Sequence, residues 1–130
     1  MKAVPEGYRD LLKDETKAYL YLATIMPDGT PQVTPVWFSM GEKYLLINTA
    51  EGRTKDLNMQ ARPDVALVIQ DPIDPYRYVQ IRGRVAERTT EGADAHIHTL
   101  SQKYRGKDWI IPPGEERLLY KISLDKVSAR

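Results

Sequence analysis

Apolar and polar residues alternate over much of the chain, which is the pattern of half-buried β-strands. The segments with this pattern, or with an apolar run of strand length, are 18–26, 32–40, 44–49, 65–69, 76–89 and 117–127. The turn sequence Pro27-Asp28-Gly29-Thr30 separates the first two segments and predicts a hairpin. We therefore expect a mostly β protein.

Two residues indicate irregular places in these strands. Pro35 has no N–H to donate to a neighbouring strand, so the segment 32–40 is expected at an edge or at a bulge. Gly83 lies within the long segment 76–89 and predicts a bulge or a sharp bend there. The sheet is expected to depart from regular pairing at both residues.

Three further segments are expected to be helical: 8–15, 53–62 and 91–104. In the second segment Leu57 and Ala61 lie one helical turn apart and predict its apolar face, and Pro63 ends the helix. Thr90 directly precedes the third segment and is a candidate N-cap.

The number and order of these elements predict the fold class. Strands and helices do not alternate along the chain, which argues against a doubly wound parallel sheet. About six strands with two or three short helices predict a small, six-stranded antiparallel β-barrel with the helices on its outside. A chain of 130 residues is expected to form one domain, 1–130.

Composition and charge exclude several classes of protein. The chain has no cysteine, which excludes disulfide scaffolds, thiolate nucleophiles, thiolate zinc sites and iron–sulfur clusters. A net charge of +1 provides no field that would recruit nucleic acid or an anionic membrane. No apolar segment has the form of a secretory signal or the length of a bilayer span. We expect a soluble, cytoplasmic protein that binds neither nucleic acid nor a membrane.

The sequence Gly52-Arg53-Thr54-Lys55 brings two cations to the expected start of the second helix. Cations oppose the positive end of the helix dipole there, at a cost of about 0.3–1 kcal/mol each. A bound anion would satisfy both the dipole and the cations. The segment indicates a phosphate or carboxylate site, with two solvated surface charges as the alternative.

The sequence Gln32-Val33-Thr34-Pro35-Val36-Trp37-Phe38 combines polar side chains, an aromatic ring and a backbone edge freed by proline. Such a strand could receive a flat heterocycle along its amides. Spacing alone favours the alternative, which is ordinary edge-strand packing with Trp37 in the core.

Two residue pairs that could carry chemistry are interpreted as surface features. His96 and His98 point away from each other on a helix, so they cannot bind one metal ion together, and we expect both to face solvent. Arg82 and Arg84 are expected at the surface or at an interface, since no aromatic stripe accompanies them. Sequence motifs of metalloproteases, α/β-hydrolases, P-loop proteins and Rossmann folds do not occur.

A series of short motifs follows in a fixed order: strand 18–26, Asp28-Gly29-Thr30-Pro31-Gln32, Asn48-Thr49, Gly52-Arg53-Thr54-Lys55, Asn58 and Arg62-Pro63-Asp64-Val65. This order resembles the pyridoxamine 5′-phosphate oxidase-like split barrels. The stretches 74–85, 92–98 and 103–108 look like the subgroup of that family that uses the deazaflavin coenzyme F420. The resemblance covers nearly the whole chain and implies a dimeric split barrel.

By this resemblance, two subunits pair through their barrels and bind the cofactor in grooves at the dimer interface. Arg53 and Lys55 would hold the cofactor's phosphate, and Asn48 and Thr49 would contact the ring or its ribityl chain. Tyr78 would reach across from the other subunit. The other expected cofactor-binding residues are Gln32, Thr34, Val36 and Trp37, which would line the ring, and Pro35, Thr54 and Asn58.

Two departures from the family pattern bear on function. The chain has no arginine- and histidine-containing C-terminal segment of the kind that grips substrate phosphate in vitamin B6 oxidases, so that reaction is disfavoured. Thr54 precedes the lysine where many oxidases of the family have arginine, which leaves the choice between F420 and FMN open.

The expected function is an F420-dependent oxidoreductase that transfers a hydride from the reduced deazaflavin to an unsaturated small molecule. The alternatives are an FMN-dependent oxidase or reductase on the same scaffold, and a flavin-binding or flavin-storing module without turnover.

Overall fold

The computed structural model describes residues 3–130, which form one antiparallel sheet with flanking helices. The strands are β1 (Tyr19–Ile25), β2 (Pro31–Val36), β3 (Phe38–Met40), β4 (Leu45–Ala50), β5 (Asp64–Gln70), β6 (Tyr78–Thr89) and β7 (Arg117–Ala129). The α-helices are α1 (Thr54–Ala61) and α2 (Ala93–Arg105), and short 3-10 helices cover Glu6–Leu12 and Asp14–Thr16. The mostly β, antiparallel fold expected from the sequence is confirmed.

The order of the strands explains the shape of the sheet. The 7-stranded sheet runs β2-β1-β5-β6-β7-β4-β3, so β2 and β3 are its two edges. These two strands are consecutive in the chain and only Trp37 separates them. The sheet must therefore curl until its edges lie side by side. Within residues 3–130 no ladder pairs β2 with β3, so the barrel stays split at Trp37.

The inner side of the curled sheet encloses the hydrophobic core. Side chains alternate between buried and more exposed along β1 and β5, as expected for strands with one face in the core. The N-terminal segment adds Val4, Leu11 and Leu12 to the same cluster. Arg77 holds this segment in place, because its guanidinium donates to the carbonyl of Gly7 at 2.6 Å and pairs with the carboxylate of Asp10. The first 3-10 helix thus packs into the core cluster of the sheet.

The long pairing of β6 with β7 is interrupted at Gly83. The register shifts between Arg82 and Gly83, which confirms the bulge predicted there. A Cβ atom added to Gly83 would lie 1.9 Å from the carbonyl oxygen of Ser123. Only glycine allows the two backbones to approach this closely.

A buried carboxylate fixes the start of α1 against the sheet. Asp56 is fully buried and accepts hydrogen bonds from Arg88 Nε at 2.9 Å, from the Tyr120 hydroxyl at 2.5 Å and from the backbone N–H of Gly52 at 2.9 Å. Burial alone would raise the pKa of Asp56, but these hydrogen bonds and the charge of Arg88 outweigh it and lower the pKa below its usual value. Because Gly52 is one of the donors, the loop 52–55 is tied to the core through this ionised side chain.

The helices differ from their predicted form in three respects. The segment predicted as a helix over 8–15 forms two short 3-10 helices. In α1 the inward side chains are Asp56, Asn58 and Met59, whereas Leu57 is 55% exposed, so the predicted apolar face was wrong. The buried hydrogen bonds of Asp56 and Asn58 set the rotation of this helix about its axis. They outweigh the preference of Leu57 and Ala61 for the core.

The start of the third helix and the count of strands are further corrections. Gly92, with a φ of 76°, is the N-cap residue of α2, and no side chain caps the helix, so the predicted role of Thr90 was wrong. The segment 32–40 is two strands, because the chain turns from one sheet edge to the other at Trp37. The sheet consequently has seven strands where six were predicted.

None of the helices within residues 3–130 has the length and apolar character needed to cross a lipid bilayer.

Replacement of Gly83 by alanine tests the close approach of β6 and β7. We expect Gly83→Ala to lower the free energy of unfolding by about 1–3 kcal/mol, because the added methyl overlaps a backbone oxygen that has little room to move. The measurement is urea denaturation. The matched control is Gly7→Ala, since a Cβ at Gly7 has no heavy atom within 4 Å. Equal stabilities for the two variants would contradict the packing described.

Candidate functional site

Two adjoining cavities follow the split in the barrel and share the residues Arg53 and Lys55. Each has a volume of about 380 Å³, within the range of small-molecule sites. The first is lined by Tyr19, Leu20, Pro35, Val36, Trp37, Asn48, Thr49, Arg53, Lys55, Ile97, Leu100, Trp109 and Arg117. The second is lined by Gln32, Thr34, Gly52, Arg53, Thr54 and Lys55. We call the two cavities together the groove.

The groove brings together all of the predicted binding residues except Asn58 and Tyr78. Asn58 lies on the buried face of α1, where its amide nitrogen donates to the Thr24 hydroxyl at 3.1 Å. The structure therefore gives Asn58 a packing role. Tyr78 lies at the start of β6 and lines neither cavity of the groove. Its predicted contact from a second subunit remains a prediction.

Three cationic side chains surround the place where the two cavities meet: Arg53, Lys55 and Arg117. Glu115 lies between the two arginines, and its carboxylate oxygens are 3.3 Å from Arg53 Nη2 and 3.3 Å from Arg117 Nη1. Glu115 is the carboxylate that pairs with these cations in residues 3–130, and the charge of Asp94 also acts on Arg117. The site retains an excess of positive charge that an anionic ligand would balance.

Lys55 is the cation without a partner. Within residues 3–130 its ammonium group takes part in none of the ion pairs, although the side chain is half-buried. Burial, with the charges of Arg53 and Arg117, lowers the pKa of Lys55. The group lies in the first turn of α1, where the helix dipole also favours an anion. A phosphate here would offset all of these unfavourable terms, so the residues present fit a phosphate-bearing cofactor.

Aromatic rings form the other end of the groove. Trp37 stacks on Tyr104 with ring centroids 5.4 Å apart, and Trp109 meets Trp37 edge-on at 5.7 Å. The guanidinium of Arg117 lies 5.8 Å from the ring centre of Trp109. The indole N–H of Trp109 is buried without a hydrogen-bond partner within residues 3–130. A buried donor of this kind beside a groove is a position where a ligand acceptor would be stabilised.

The free edge of β2 presents an unusual set of backbone groups to a ligand. Met26 N–H donates to Thr30 O at 2.8 Å, which sets the alternation of bonded and non-bonded pairs along the hairpin. By that alternation Pro31, Val33 and Pro35 direct their backbone groups away from β1. Two of these three residues lack an N–H, so the edge offers mainly carbonyl acceptors.

A buried hydrogen-bond network connects α2 to the groove. His96 Nε2 lies 2.9 Å from Ser39 Oγ, and His96 Nδ1 lies 3.2 Å from Asn48 Nδ2. Burial lowers the pKa of His96 to about 4, with the Asp14 carboxylate acting in the opposite direction. The expectation that both histidines face solvent was therefore wrong. Ser39 on β3 and Asn48 on β4 provide hydrogen-bond partners for His96. His98 is half-buried, and its Nδ1 is buried without a hydrogen-bond partner within residues 3–130.

Sequence reasoning missed the residues that α2 and β7 contribute to the groove. Ile97 and Leu100 belong to the apolar spacing of the helix and gave no sign that one end of it lines a cavity. Arg117 was read only as the first residue of the last strand. The sequence marks it only as a cation directly before the apolar residues Leu118, Leu119 and Tyr120.

Comparisons with known proteins agree with this geometry. The model of the pyridoxamine 5′-phosphate oxidase family matches residues 5–129. A solved structure described as an F420 reductase is 35% identical, covers 96% of this chain and 98% of its own, and superposes with a TM-score of 0.84. The curated proteins include none that matches this chain.

More distant structures share the fold. A conserved hypothetical protein of Mycobacterium tuberculosis is 19% identical over 97% of this chain and 84% of its own, with a TM-score of 0.74. General Stress Protein 26 of Bacillus anthracis is 17% identical over 95% of this chain and 91% of its own, with a TM-score of 0.71. With the family model spanning nearly all of the described residues, the chain belongs to the pyridoxamine 5′-phosphate oxidase family.

Proposed function

We propose that this protein is a homodimeric oxidoreductase that binds coenzyme F420 in the groove and reduces an unsaturated small molecule by hydride transfer. The observation that carries the proposal is the unpaired Lys55 between Arg53 and Arg117, at the junction of a polar and an aromatic cavity. Family membership supports a flavin-type oxidoreductase in general. The likeness to an F420 reductase at 35% identity favours the deazaflavin.

The two ends of the groove suit the two ends of such a cofactor. Lys55 and Arg53, with the first turn of α1, would bind the phosphate through charge-assisted hydrogen bonds. The ring would lie toward Trp37 and the acceptor edge of β2. When bound, the deazaflavin supplies a hydride at a ring carbon, so no side chain of this protein has to act as a nucleophile.

The remaining task of the protein is to orient the two reactants and to exclude water from them. Trp37, Ile97 and Leu100 give the groove an apolar wall. Such a wall lowers the local dielectric and strengthens every charge interaction inside the groove. The substrate that suits this wall is a small molecule that can be held beside the ring.

FMN is the alternative cofactor. Its single phosphate would suit the same cations, and the family is named after an oxidase, pyridoxamine 5′-phosphate oxidase. A flavin-binding module without turnover is the alternative without catalysis. Titration with F420 and with FMN, together with an assay of turnover, distinguishes both alternatives from the main proposal.

The outer face of the sheet supports the proposed dimer. Val33 is 64% exposed and Tyr21 is 36% exposed, on adjacent strands. The register continues this apolar row from Val33 through Ala23 to Ala66, across three strands. Ala23 and Ala66 are half-buried, so the row is a partly exposed apolar surface, and such a surface suits a protein interface. Tyr78, on the same face beside Gln70, would lie within such an interface.

Removal of single cations tests the phosphate site. We expect Lys55→Ala to weaken F420 binding by roughly ten- to a hundredfold, since it removes one charge-assisted hydrogen bond to an anion. Arg53→Ala should have a smaller effect, because Arg53 is more exposed and already paired with Glu115. Fluorescence titration measures both. Lys43→Ala, in the turn between β3 and β4, is the matched control and should bind as the unmodified protein does. Unchanged affinity in both groove variants would refute the assignment.

A charge in the apolar row tests the dimer. Val33→Lys should convert a species of about twice 14.9 kDa into one of 14.9 kDa, because the introduced ammonium group would be buried without a partner. Sedimentation velocity at micromolar concentration measures the change. Leu57→Lys is the control, since Leu57 is similarly exposed but lies on α1. An unmodified protein that sediments as a monomer and still binds cofactor would contradict the interface.

Competition between cofactors tests the proposed function itself. F420 should bind more tightly than FMN, and turnover with a conjugated acceptor should be equally fast with and without oxygen, because reduced deazaflavin does not react readily with air. The measurements are equilibrium titration with each cofactor and an assay for hydrogen peroxide. Tighter FMN binding with peroxide formation would indicate a flavin oxidase. Tight binding without any substrate-dependent oxidation across a panel of acceptors would indicate a storage module.

A further inference from the structure

A network of Ser39, His96, Asn48 and Arg117 runs from α2 to the groove, where Asn48 and Arg117 line the first cavity, and the proposed function gives no role to Ser39 or His96. The sheet register explains why its members meet. Asn48 pairs with Leu119 and Ala50 with Arg117, so Asn48 and Arg117 are diagonal neighbours on one face of adjacent strands. His96 reaches this face from α2, which contacts both β4 and β7.

The hydrogen bonds of Asn48 fix the orientation of its amide. Its nitrogen donates to the backbone carbonyl of Ala93 at 2.9 Å, and a carbonyl can only accept. Its oxygen accepts from Arg117 Nε at 2.9 Å, and a guanidinium can only donate. The amide cannot be reversed without losing both bonds. Asn48 therefore directs an N–H towards His96.

The orientation of Asn48 also fixes the tautomer of His96. Because Asn48 Nδ2 is a donor, His96 Nδ1 at 3.2 Å must be the acceptor. The proton of the neutral imidazole is then on Nε2, which donates to Ser39 Oγ at 2.9 Å. A proton on Nδ1 would oppose the Asn48 amide, and burial independently lowers the pKa of His96 and favours the neutral imidazole.

Arg117 is the end of this chain of bonds. Its Nε is held by Asn48 and its Nη1 by Glu115, and within residues 3–130 its Nη2 makes no hydrogen bond. The residue is only 6% exposed but lines the groove. The guanidinium is therefore held at one orientation, with its free donors available to the groove.

We propose that His96 is a positioning residue, which, together with the carbonyl of Ala93, holds the amide of Asn48 and through it keeps Arg117 in the orientation that binds the anionic part of the ligand. This inference rests on the proposed function for the identity of the ligand, but the orientation of Arg117 is a property of the free protein. Towards Asn48, His96 acts as a hydrogen-bond acceptor through Nδ1. A side chain that restores an acceptor at that position should therefore restore the function.

The test compares His96→Leu, which removes the acceptor, with His96→Asn, whose amide oxygen can occupy the place of Nδ1. Thr99→Ala is the control on the same helix, because its hydroxyl bonds only to the backbone of that helix. Thermal unfolding of each variant establishes that it is folded.

The first measurement needs no ligand. In nitrogen-detected NMR spectra of the unmodified protein, His96 Nδ1 should have the shift of an unprotonated nitrogen. The Arg117 Nε–H should give a resonance protected from exchange with water. His96→Leu should lose that protection, whereas His96→Asn and Thr99→Ala should keep it. A protonated Nδ1, or an unaltered Arg117 resonance in His96→Leu, would overturn the proposal. The nitrogen shifts alone decide this if His96→Leu does not fold.

The second measurement is the dissociation constant for F420, with FMN as a parallel probe. His96→Leu should bind roughly tenfold more weakly, and His96→Asn within about threefold of the unmodified protein. Equal losses in the Leu and Asn variants would indicate a merely structural role and overturn the proposal. If the unmodified protein binds neither cofactor, the proposed function fails, and the Arg117 resonance still decides whether His96 positions that side chain.

Discussion

The two edges of the sheet are joined by a single residue, Trp37, and the rest of the structure depends on this connection. Val36 and Phe38 are only two Cα–Cα steps apart, at most about 7 Å, so two edges joined in this way lie side by side whatever the other strands do. The sheet has to curl, its inner face becomes the core, and its edges do not pair. The groove runs along β2 beside this break in the sheet, and Trp37 is part of its wall.

The charges around the gap follow from how the neighbouring loop is held. Asp56 is ionised in the core and accepts a hydrogen bond from the N–H of Gly52, so the loop 52–55 is fixed from beneath. Arg53 and Lys55 are then directed to the groove and away from the carboxylate that holds their loop. The ionised Asp56 in the core therefore holds in place the loop that carries the positive charges of Arg53 and Lys55 at the groove. This separation of charge favours a phosphate-bearing ligand over a neutral one.

Local chemistry made much of this molecule predictable from its sequence. Pro35 indicated an edge strand and Gly83 a bulge, because each reflects a backbone constraint acting within a few residues. The anion site inferred from Arg53 and Lys55 has the same local basis and stays a prediction. The break at Trp37 was not predictable, since the residues on both sides of it suit a strand and only the overall closure of the sheet requires the chain to turn. The rotation of α1 was missed for a similar reason. It depends on partners of Asp56 that are distant in sequence, namely Arg88 and Tyr120.

The site shows the same division between local and distant information. Residues of β2 and the loop 52–55 were found from motifs, whereas Trp109 and Arg117 enter the groove through tertiary packing alone. His96 illustrates how far a side chain's role depends on that packing. Its spacing from His98 on one helix indicated a solvent-facing pair, but Ser39 and Asn48, on two strands of the sheet, make it a buried acceptor.

The measurement that tests the central claim most directly is a crystal structure of the protein with F420 bound. The charge distribution predicts that the phosphate lies within hydrogen-bond distance of Lys55 and of Arg53 or Arg117. It also predicts that the deazaflavin ring lies beside Trp37 and the free edge of β2. A ligand bound on the outer face of the sheet, or in the groove with Lys55 directed to solvent, would contradict the claim that the split in the barrel is the cofactor site.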